Sequence, residues 1–382
     1  MVVLSGGQLL TGNDAAVKKI SRRIKYKRSS RPHESDREVT RLMNYAECLE
    51  LARGKMGNYC KACPECNGRA CKNQMPGPGA KGIGDTAIRN YDKWKEIRVQ
   101  MDTIAENKPV DTSLELFGKK FKYPFFAGPV GAVGLHYGDC LDDVAYNDIL
   151  VSSCAKYGIA AFTGDGVDSN VMVAATKAIK KTDGIGIPTV KPWNLDVIAG
   201  KMEMVHESKA LAVAMDIDAA GLPFLKNMEP PAGSKTVEEL RQIAKMAGTP
   251  FIVKGVMTVK GALKAKEAGA SAIVVSNHGG RVLDQCPATA EVLEEIALAV
   301  GDSMKIFVDG GIRSGVDVFK ALALGADAVI IARPFVTAVY GGAEEGVKSY
   351  IEKLGTELED TMKMCGVTSL EEIDRDCVWT RS

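Results

Sequence analysis

The 382-residue chain is poor in aromatic residues and histidine, has no excess of either charge, and contains no long apolar run. Phe, Trp and Tyr together make up 6% of the residues, and four residues are histidine. No apolar stretch reaches the ~20 residues that a membrane-spanning helix needs, so we expect no membrane segment. Lys and Arg (49) balance Asp and Glu (48). The composition therefore gives no electrostatic reason to expect nucleic acid or a membrane surface as a partner.

The N-terminal region shows no targeting pattern. The first ten residues, MVVLSGGQLL, lack the basic-then-apolar order of a secretory signal. We therefore expect a cytoplasmic protein, in which the ten cysteines are thiols or metal ligands rather than disulfides. The basic run KKISRRIKYKRSSR at residues 18–31 predicts a solvated arm or a first helix, with an anionic partner as the alternative.

From Tyr123 onward, short apolar runs alternate with segments of helical spacing. There are eight such runs: PFFAGP, GIAAFTG, GIGIPTV, LAVAMDI, PFIVKG, SAIVVSN, KIFVDG and AVIIAR. Continuous apolar strands separated by amphipathic helices are typical of parallel β/α units. Eight of them predict an α/β fold of the closed (β/α)8 type, a TIM barrel. An open doubly wound sheet is the alternative, but the first predicted strand is followed by no dinucleotide-binding glycine fingerprint.

Before the barrel, the sequence predicts a helical extension that is rich in cysteine. Apolar residues at helical spacing over residues 34–56 predict a helix, and NQMPGPGAKGIGD at residues 73–85 predicts a loop. We therefore place an N-terminal helical extension at residues 1–110, with its Cys-rich segment at 57–85. The barrel and a C-terminal helix occupy residues 111–382.

Polar residues follow four consecutive predicted strands. Because catalytic groups of such barrels lie at the C-terminal strand ends, these residues are expected at one shared rim. A buried charge without a partner costs several kcal/mol, so structure alone does not explain four such positions. They are Lys254 after the fifth strand, Ser276-Asn277-His278 after the sixth, Asp309-Gly310-Gly311 after the seventh, and Ala332-Arg333 after the eighth.

The loops after the last two strands predict a phosphate site. Gly310 and Gly311 in DGGIRSG allow backbone N–H groups to approach an anion closely. A helix that begins near Ser314 directs its positive end to the same place, and Arg333 adds a cation. These loops are the usual phosphate site of TIM barrels. Tight turns with a surface arginine are the alternative.

Lys254, His278 and Arg281 predict chemistry on a small acid. Lys254 either forms a Schiff base or stays charged and stabilises a reduced cofactor. His278 is a candidate general base, and the planar fork of Arg281 suits a carboxylate. The glycines between them allow both side chains to face one pocket. The alternative is a satisfied core histidine and a surface pair between Arg281 and Asp284.

Four cysteines are clustered in NYCKACPECNGRAC. Cys60, Cys63, Cys66 and Cys71 follow the spacing C-x2-C-x2-C-x4-C. This spacing is close to that of ferredoxins, in which the last gap is three residues and a proline follows, so an iron–sulfur cluster is one interpretation. A four-thiolate zinc site and a loop without metal are the others.

The segments VKG at Lys254, SNHGGRVLDQCPAT and DGGIRSGVDVFKALALGADAVIIARPF resemble the FMN-dependent 2-hydroxy-acid dehydrogenase/oxidase family, which includes glycolate oxidase and flavin lactate dehydrogenase. The resemblance covers residues 123–373 and is most specific over 250–335. It implies a TIM barrel with FMN at its mouth. It also implies oxidation of a 2-hydroxy acid, lactate- or glycolate-like or larger, by hydride transfer to flavin N5, and a homo-oligomer of four or eight chains.

The resemblance assigns roles to individual residues. His278 would take the hydroxyl proton, Asp216 would support the protonated histidine, Arg281 would hold the substrate carboxylate, and Lys254 would face flavin N1. The implied FMN-binding set is Pro129, Val130, Gly131, Thr163, Lys254, Ser276, His278, Asp309, Gly310, Gly311, Arg313, Ala332 and Arg333.

The sequence departs from the family in the predicted substrate pocket. A Gln-Leu-Tyr pattern is usual in the third strand, but GIPTVKPW has Pro188 and Val190 at the Gln and Tyr places. A second carboxylate-binding arginine after the fourth strand is also missing. We therefore expect a rebuilt pocket, lined by His136, Tyr137, Lys191 and Trp193.

The cysteine cluster and the departures leave other functions open. In the family, the N-terminal segment folds over the barrel mouth, so a redox cluster there would take electrons from reduced flavin and pass them to an acceptor protein. Two alternatives to a hydroxy-acid dehydrogenase are a flavin-dependent isomerase or reductase on the same barrel, and a non-catalytic flavin or iron–sulfur sensor.

Overall fold

The structure is a computed structural model that describes residues 43–56, 58–229 and 231–380. The predicted basic run at 18–31 and residues 34–42 of the predicted helix lie outside the described residues. Within the described ranges, no helix has both the length and the apolarity that crossing a membrane requires.

Two helices and three short strands precede the barrel. They are α1 (Tyr45–Met56), α2 (Asp85–Glu96), β1 (Arg98–Val99), β2 (Leu114–Leu116) and β3 (Lys119–Phe121). Strands β2 and β3 form an antiparallel hairpin, and its residues Leu116 and Phe121 pack against the barrel interior. All described residues belong to one compact unit, and the domain boundary at residue 110 stays a prediction.

Eight parallel strands form the barrel, and they coincide with the eight apolar runs of the sequence. Their order around the barrel is β4-β11-β10-β9-β8-β7-β6-β5, and a parallel bridge between Ala127 and Ala161 joins the two ends of that order. This confirms the predicted TIM barrel and not the open sheet. The strands are β4 (Phe125–Ala127), β5 (Phe162–Thr163), β6 (Ile187–Val190), β7 (Val213–Asp216), β8 (Phe251–Val256), β9 (Ala272–Val275), β10 (Lys305–Val308) and β11 (Ala328–Ile331).

Helices cover the outside of the barrel, as their spacing predicts. The helix of TVEELRQIAKMAG illustrates why they begin and end where they do. Thr236 and Glu239 form a reciprocal capping box at its start, and Gly248 ends it in a left-handed conformation. The helices are α3 (Val133–Tyr137), α4 (Asp143–Lys156), α5 (Ser169–Lys181), α6 (Leu195–Ser208), α7 (Pro223–Lys226), α8 (Val237–Ala247), α9 (Val259–Glu267), α10 (Thr289–Val300), α11 (Gly315–Ala323) and α12 (Arg333–Met364), after which β12 (Val378–Trp379) pairs with β1.

Strand alternation divides the barrel into an apolar interior and a polar mouth. Ile187, Ala214, Ile252, Val274 and Phe307 belong to one buried cluster inside the barrel. Successive side chains of a strand point to opposite faces, so the residues two positions later point to the same side. In five neighbouring strands this rule brings polar side chains to the mouth: Thr189, Asp216, Lys254, Ser276 and Asp309.

Helix α2 docks beside the end of β10. Trp94 Nε1 donates to the carbonyl of Gly310 at 2.8 Å, and the amides of Asn90 and Asn277 exchange hydrogen bonds at 2.7 and 2.9 Å. The contact is so close that a Cβ built on Gly311 would lie 2.1 Å from the carbonyl oxygen of Asn90. The glycine at position 311 is therefore required by the packing of α2.

We expect Gly311→Ala to lower the free energy of unfolding by about 2–4 kcal/mol, because the new methyl group overlaps the backbone of α2 and the residue has φ +83°. Urea unfolding measures this. The control is Gly200→Ala in α6, where nothing lies within 4 Å of the added Cβ; it should change stability by about 1 kcal/mol or less, in the stabilising direction. Equal midpoints for Gly311→Ala and the unmodified protein would contradict the docking of α2 described here.

Candidate active site

Lys254 projects from β8 into the mouth, where oxygen atoms surround it. Its Nζ lies 3.1 Å from Asp216 Oδ1 and 3.6 Å from Asp309 Oδ2, and it donates to Ser276 Oγ at 3.1 Å. Burial lowers the pKa of a lysine, but the carboxylates of Asp216, Asp218 and Asp309 outweigh burial and raise the pKa of Lys254. An ammonium held in this way stays charged, which argues against the Schiff-base interpretation.

Asp216 is shared by three basic groups. Besides Lys254, the Lys191 Nζ lies 3.4 Å from its Oδ2 and the His278 Nδ1 lies 3.4 Å from its Oδ1. Burial raises the pKa of a carboxyl group, but the neighbouring His278, Lys254 and Lys191 outweigh it and hold the pKa of Asp216 below its ordinary value. Asp216 is therefore ionised at neutral pH and supplies a fixed negative charge beneath the imidazole.

His278 lies on a left-handed turn after β9. The φ angles of His278, Gly279 and Gly280 are +57°, +61° and +80°. Glycine adopts this region freely, but histidine does so at a cost, and such strain concentrates at functional sites. The turn brings His278 Nδ1 to 3.0 Å from Asp218 Oδ1, closer than Asp216. The two glycines after His278 allow the backbone to turn directly after the histidine.

Asp218 is a site residue that the sequence analysis missed. It follows Asp216 in AMDIDAAG, where the chain turns from β7 into a 3-10 helix over Ile217–Gly221. Two aspartates separated by one residue were visible, but the turn that brings the second one to the imidazole was not. Its Oδ2 is buried and has no hydrogen-bond partner within the described ranges.

Arg281 follows the same turn and is held by main-chain carbonyls. Its Nη1 donates to Gly77 O at 2.7 Å and to Gly79 O at 2.8 Å, and its Nη2 donates to Pro76 O at 3.3 Å. These bonds leave the Nε–Nη2 edge for a second, bidentate acceptor. Burial lowers the pKa of Arg281 to about 10, so the guanidinium is still charged at neutral pH.

The Gly/Pro-rich loop at residues 73–85, here called the cover segment, lies along the loop that carries His278 and Arg281. Lys81 N–H donates to Gly280 O at 2.9 Å. Just after the segment, Thr86 N–H donates to Asp284 Oδ1 at 3.1 Å. Asp284 therefore holds the start of α2 and does not form the surface pair with Arg281 that was the alternative interpretation.

His136 faces the same pocket from α3. Its Nδ1 is hydrogen-bonded to the carbonyl of Pro76 in the cover segment. Burial lowers the pKa of His136 to about 4, and the positive charge of Arg281 adds to this. His136 is therefore neutral at pH 7 and donates Nδ1–H to the cover segment.

At the end of β6, the residues that face the mouth are not the two that the family comparison places in the pocket. Ile187 faces the barrel interior, so alternation turns Thr189 and Lys191 into the mouth, and Pro188 and Val190 point outward. Thr189 Oγ1 is buried without a hydrogen-bond partner among the described residues. The Lys191 side chain is 12% exposed, so it stands at the pocket as predicted.

Trp193 and Tyr137, also predicted for the pocket, have other roles. Trp193 Nε1 donates to Asp165 Oδ2 at 2.6 Å, and Asp165 forms a buried ion pair with Lys201 at 2.7 Å. Asp165 also accepts the backbone N–H of Lys191 at 3.1 Å, so this network positions the lysine. Tyr137 is buried and lines the cavity at the neighbouring strand ends.

That cavity, about 290 Å³ in volume, lies beside the ends of β10 and β11 and is lined by Arg313, Ser314 and Arg333. Arg313 Nε donates to Cys66 O at 2.7 Å, and Arg333 Nη2 donates to Gly279 O at 2.6 Å. These bonds fix two guanidinium groups at the cavity wall, which suits a phosphate.

The helix end and the glycines contribute less to this anion site than the sequence indicates. At the start of α11, the Gly315 N–H already donates to Glu357 Oε2 at 2.9 Å. Built Cβ atoms on Gly310 and Gly311 would meet Asn90 at 3.0 and 2.1 Å, so these glycines accommodate α2. The two arginines are therefore the main phosphate-binding candidates.

Pro129, Val130 and Gly131 follow β4, which lies across the barrel from β8, the strand that carries Lys254. Glycines allow this backbone to pack closely: a Cβ on Gly164 would lie 2.4 Å from Gly131 N. Gly128, the residue before Pro129, has no room for a side chain either, because a Cβ built on it would lie 2.8 Å from the Ala332 Cβ. The backbone that follows β4 is therefore packed tightly against its neighbours.

Thr163 differs from the other predicted FMN-binding residues. Its strand neighbour Phe162 faces the barrel interior, so alternation directs the Thr163 side chain towards the helices. The residue is buried and its Oγ1 has no hydrogen-bond partner in the part of the chain that the structure describes. The structure does not bring Thr163 together with the polar side chains of the mouth.

The residues at the mouth fit FMN. Buried oxygen atoms of Thr189, Asp218 and Asp309 have no partner among the described residues, whereas buried polar groups normally have one. A charged lysine stands among them, and two arginines suited to a phosphate line the adjoining cavity. The unpaired oxygens and the lysine suit the polar groups of a flavin ring, and the two arginines suit its phosphate.

Cys60, Cys63, Cys66 and Cys71 line the same cavity as the two arginines. All four are free, partly buried thiols. Burial raises the pKa of Cys60 to about 12 and also raises the pKa values of Cys63 and Cys71. The phosphate candidates and the cysteine cluster, which are far apart in sequence, thus meet at one place.

We expect acid to weaken the fold through His136. Its pKa of about 4 in the folded protein is below the ~6.5 of an unfolded chain, so the unfolded state binds more protons and stability falls as pH drops from 6.5 to 4. The loss should be about 2 kcal/mol or less, since solvent screens a partly exposed group. Thermal midpoints of the protein and of His136→Gln measure it. The difference between the two should change over this range, and parallel curves would contradict it.

The family relationship is shown by a family model described as FMN-dependent dehydrogenase, which matches residues 78–222 and 193–380. An FMN-dependent alpha-hydroxy acid dehydrogenase of Penicillium citrinum is 30% identical over 347 residues, covering 79% of this chain and 84% of that protein. A peroxisomal (S)-2-hydroxyacid oxidase of Arabidopsis thaliana is 49% identical over 148 residues, covering 39% of this chain. The chain matches about 40% of the length of this relative and of a second Arabidopsis oxidase.

Solved structures show the same fold. A flavocytochrome b2 superposes with a TM-score of 0.73 at 25% identity, covering 95% of this chain and 91% of that one. A lactate oxidase of Pediococcus acidilactici superposes with a TM-score of 0.72 at 24% identity, covering 94% and 98%. The predicted fold, family and flavin are thereby confirmed, and the chain belongs to the FMN-dependent dehydrogenase family.

Proposed function

We propose that this protein oxidises a 2-hydroxy acid, lactate- or glycolate-like or larger, to the 2-oxo acid, with FMN as cofactor and His278 as the base. The observation that carries the proposal is the imidazole of His278, held between Asp216 and Asp218 on the turn that also presents Arg281. The relatives named for 2-hydroxy-acid oxidation support the substrate class.

His278 is arranged to accept a proton through Nε2. Its Nδ1 faces the carboxylates of Asp218 and Asp216 at 3.0 and 3.4 Å, so Nδ1 carries the hydrogen and Nε2 presents its lone pair to the substrate hydroxyl. When Nε2 takes the hydroxyl proton, the two carboxylates stabilise the resulting imidazolium. Asp218 is the nearer of the two and acts together with the predicted Asp216.

Arg281 orients the acid. The Nε–Nη2 edge of its guanidinium donates to the substrate carboxylate, and the carbonyls of the cover segment fix the Nη1 side. Lys191, on the opposite side of Asp216 from Lys254, adds a second cation at the pocket. Together they place the hydroxyl-bearing carbon next to His278.

Bound FMN supplies the acceptor of the hydride that leaves this carbon. The residues proposed to hold it are Lys254, Thr189, Ser276 and Asp309 at the ring side, and Arg313 and Arg333 at the phosphate. Lys254 keeps its charge because three carboxylates surround it, so it offers a fixed positive charge to a ring that becomes more negative on reduction.

The remaining parts of the proposal concern partners. The cysteine cluster holds a metal centre, iron–sulfur or zinc, and an acceptor protein receives the electrons. A homo-oligomer of four or eight chains, a cytoplasmic location and the absence of nucleic-acid or membrane partners stay predictions.

We expect His278→Ala to slow the reduction of bound FMN by 2-hydroxy acids about 10²–10⁴-fold, because the hydroxyl proton loses its acceptor. Anaerobic stopped-flow absorbance measures the rate, and FMN content should be unchanged. The control is His206→Ala on α6, whose imidazole contacts the carbonyl of Ala247 at 2.8 Å and should leave the rate unaltered. Unchanged reduction in His278→Ala, or no reduction of the unmodified protein by any member of a 2-hydroxy-acid panel, would rule the proposal out.

We expect Arg281→Lys to lower kcat/KM for the acid about tenfold or more, because an ammonium does not replace a bidentate fork. The methyl ester of the same acid is the matched control. The ester lacks the carboxylate, so the unmodified protein should use it poorly and the variant should lose little more. An equal loss on acid and ester would show that Arg281 acts through the loop and not through the carboxylate.

A further inference from the structure

We propose that Cys60, Cys63, Cys66 and Cys71 bind one iron–sulfur cluster, and that this cluster is the electron outlet of the enzyme. The four thiols come from a twelve-residue segment and line one cavity. The first three have the C-x2-C-x2-C spacing that holds clusters in bacterial ferredoxins. The assignment of the outlet rests on the proposed function, since substrate oxidation supplies the electrons.

The positions of the thiols favour a cluster over a single zinc ion. Tetrahedral zinc with bonds of ~2.3 Å to sulfur brings all four sulfurs to within about 3.8 Å of one another. In the described ranges, one group of three or more potential ligands lies within 4.8 Å, namely Asp216, Asp218 and His278, and no three cysteines meet this limit. The Asp216 group already holds the ammonium of Lys254. No three of the thiols are thus as close as a single zinc ion requires, and the C-x2-C-x2-C spacing favours a polynuclear cluster.

The cysteine segment is held in place from three sides. Arg53 of α1 donates to Ala62 O at 3.1 Å, Tyr91 of α2 donates to Glu65 Oε2 at 2.7 Å, and Arg313 of the barrel donates to Cys66 O at 2.7 Å. A loop tied to three elements presents its side chains in a fixed arrangement, as a metal centre requires.

One thiol already accepts a backbone hydrogen bond. The N–H of Ala62 donates to Cys60 Sγ at 3.5 Å, and Ala62 has φ +40°, a conformation that alanine rarely adopts. Hydrogen bonds to sulfur are among the factors that set the potential of iron–sulfur clusters. The strained backbone at Ala62 therefore points the N–H at a ligand atom.

The position of the cluster beside the proposed FMN site suits the transfer of electrons out of the enzyme. Arg313 and Arg333 line the same cavity as the thiols, so the cluster adjoins the proposed FMN phosphate site. Lys61, Pro64 and Glu65 of the same segment also line this cavity and are exposed, so the cluster lies close to the protein surface. Oxidation of one 2-hydroxy acid to the 2-oxo acid releases two electrons and two protons. The cluster carries one electron at a time, so two molecules of a one-electron acceptor protein balance one turnover and the protons go to water.

The first test uses the full-length protein, purified without oxygen and assayed for iron, acid-labile sulfide, zinc and FMN. We expect about four irons and four sulfides per chain, and a paramagnetic signal of the reduced cluster when a 2-hydroxy acid is added. One zinc without sulfide, or a protein free of metal, would overturn the site. A bound cluster that stays oxidised while the acid reduces FMN would overturn its role as the electron outlet.

The second test compares Cys63→Ser with Cys140→Ser, since Cys140 is an exposed cysteine outside the cluster. Cys63→Ser should lose iron, keep FMN and its reduction by the acid, and lose at least tenfold in turnover with cytochrome c as the one-electron acceptor. Cys140→Ser should match the unmodified protein. Full turnover of an iron-free Cys63→Ser protein would overturn the cluster's role as the electron outlet. If this variant does not fold, the first test on the unmodified protein still decides, because it measures both the cluster and its reduction by the acid.

The two proposals fail in different ways. A protein that binds iron and sulfide but whose FMN no 2-hydroxy acid reduces would overturn the proposed function and keep the cluster. An iron-free yellow protein that the acid reduces would do the reverse.

Discussion

The buried contact between Lys254 and Asp216 organises the mouth of the barrel. The two residues are directly opposite each other in the register of β7 and β8, so the sheet itself sets the pair. Removing either partner would take away the nearest opposite charge of the other in a medium of low polarity, which is destabilising. The other charged groups of the mouth balance this pair: Lys191 and His278 lie against Asp216, and Asp309 lies against Lys254.

Most of the fold could be predicted from the sequence. Each strand is a continuous apolar run, which is the pattern of parallel strands that are buried on both faces. The same holds for the residues just after the strands, since the barrel geometry sends them to one rim. Lys254 and His278 were chosen as candidates in this way, and the structure brings both to Asp216. The helical extension was anticipated as helix and loop, but its position on the barrel was not.

The parts that could not be predicted depend on contacts between distant segments. Whether Val190 or Lys191 faces the pocket depends on strand register, which a four-residue run without polar alternation does not reveal. Asp218 reaches the imidazole through a turn with no sequence signature. Gly311 looked like a phosphate-binding glycine, but it is a contact for α2, more than 200 residues earlier, since a Cβ there would meet Asn90 O at 2.1 Å.

The hold of the cover segment on Arg281 has a consequence for affinity. The carbonyls of Gly77 and Gly79 hold Nη1 of the guanidinium, so the side chain is already ordered before a carboxylate reaches its Nε–Nη2 edge. A side chain that is ordered in advance loses less conformational entropy on binding. Under the proposed function, a change in this loop would therefore alter the affinity for the acid without touching the reacting carbon.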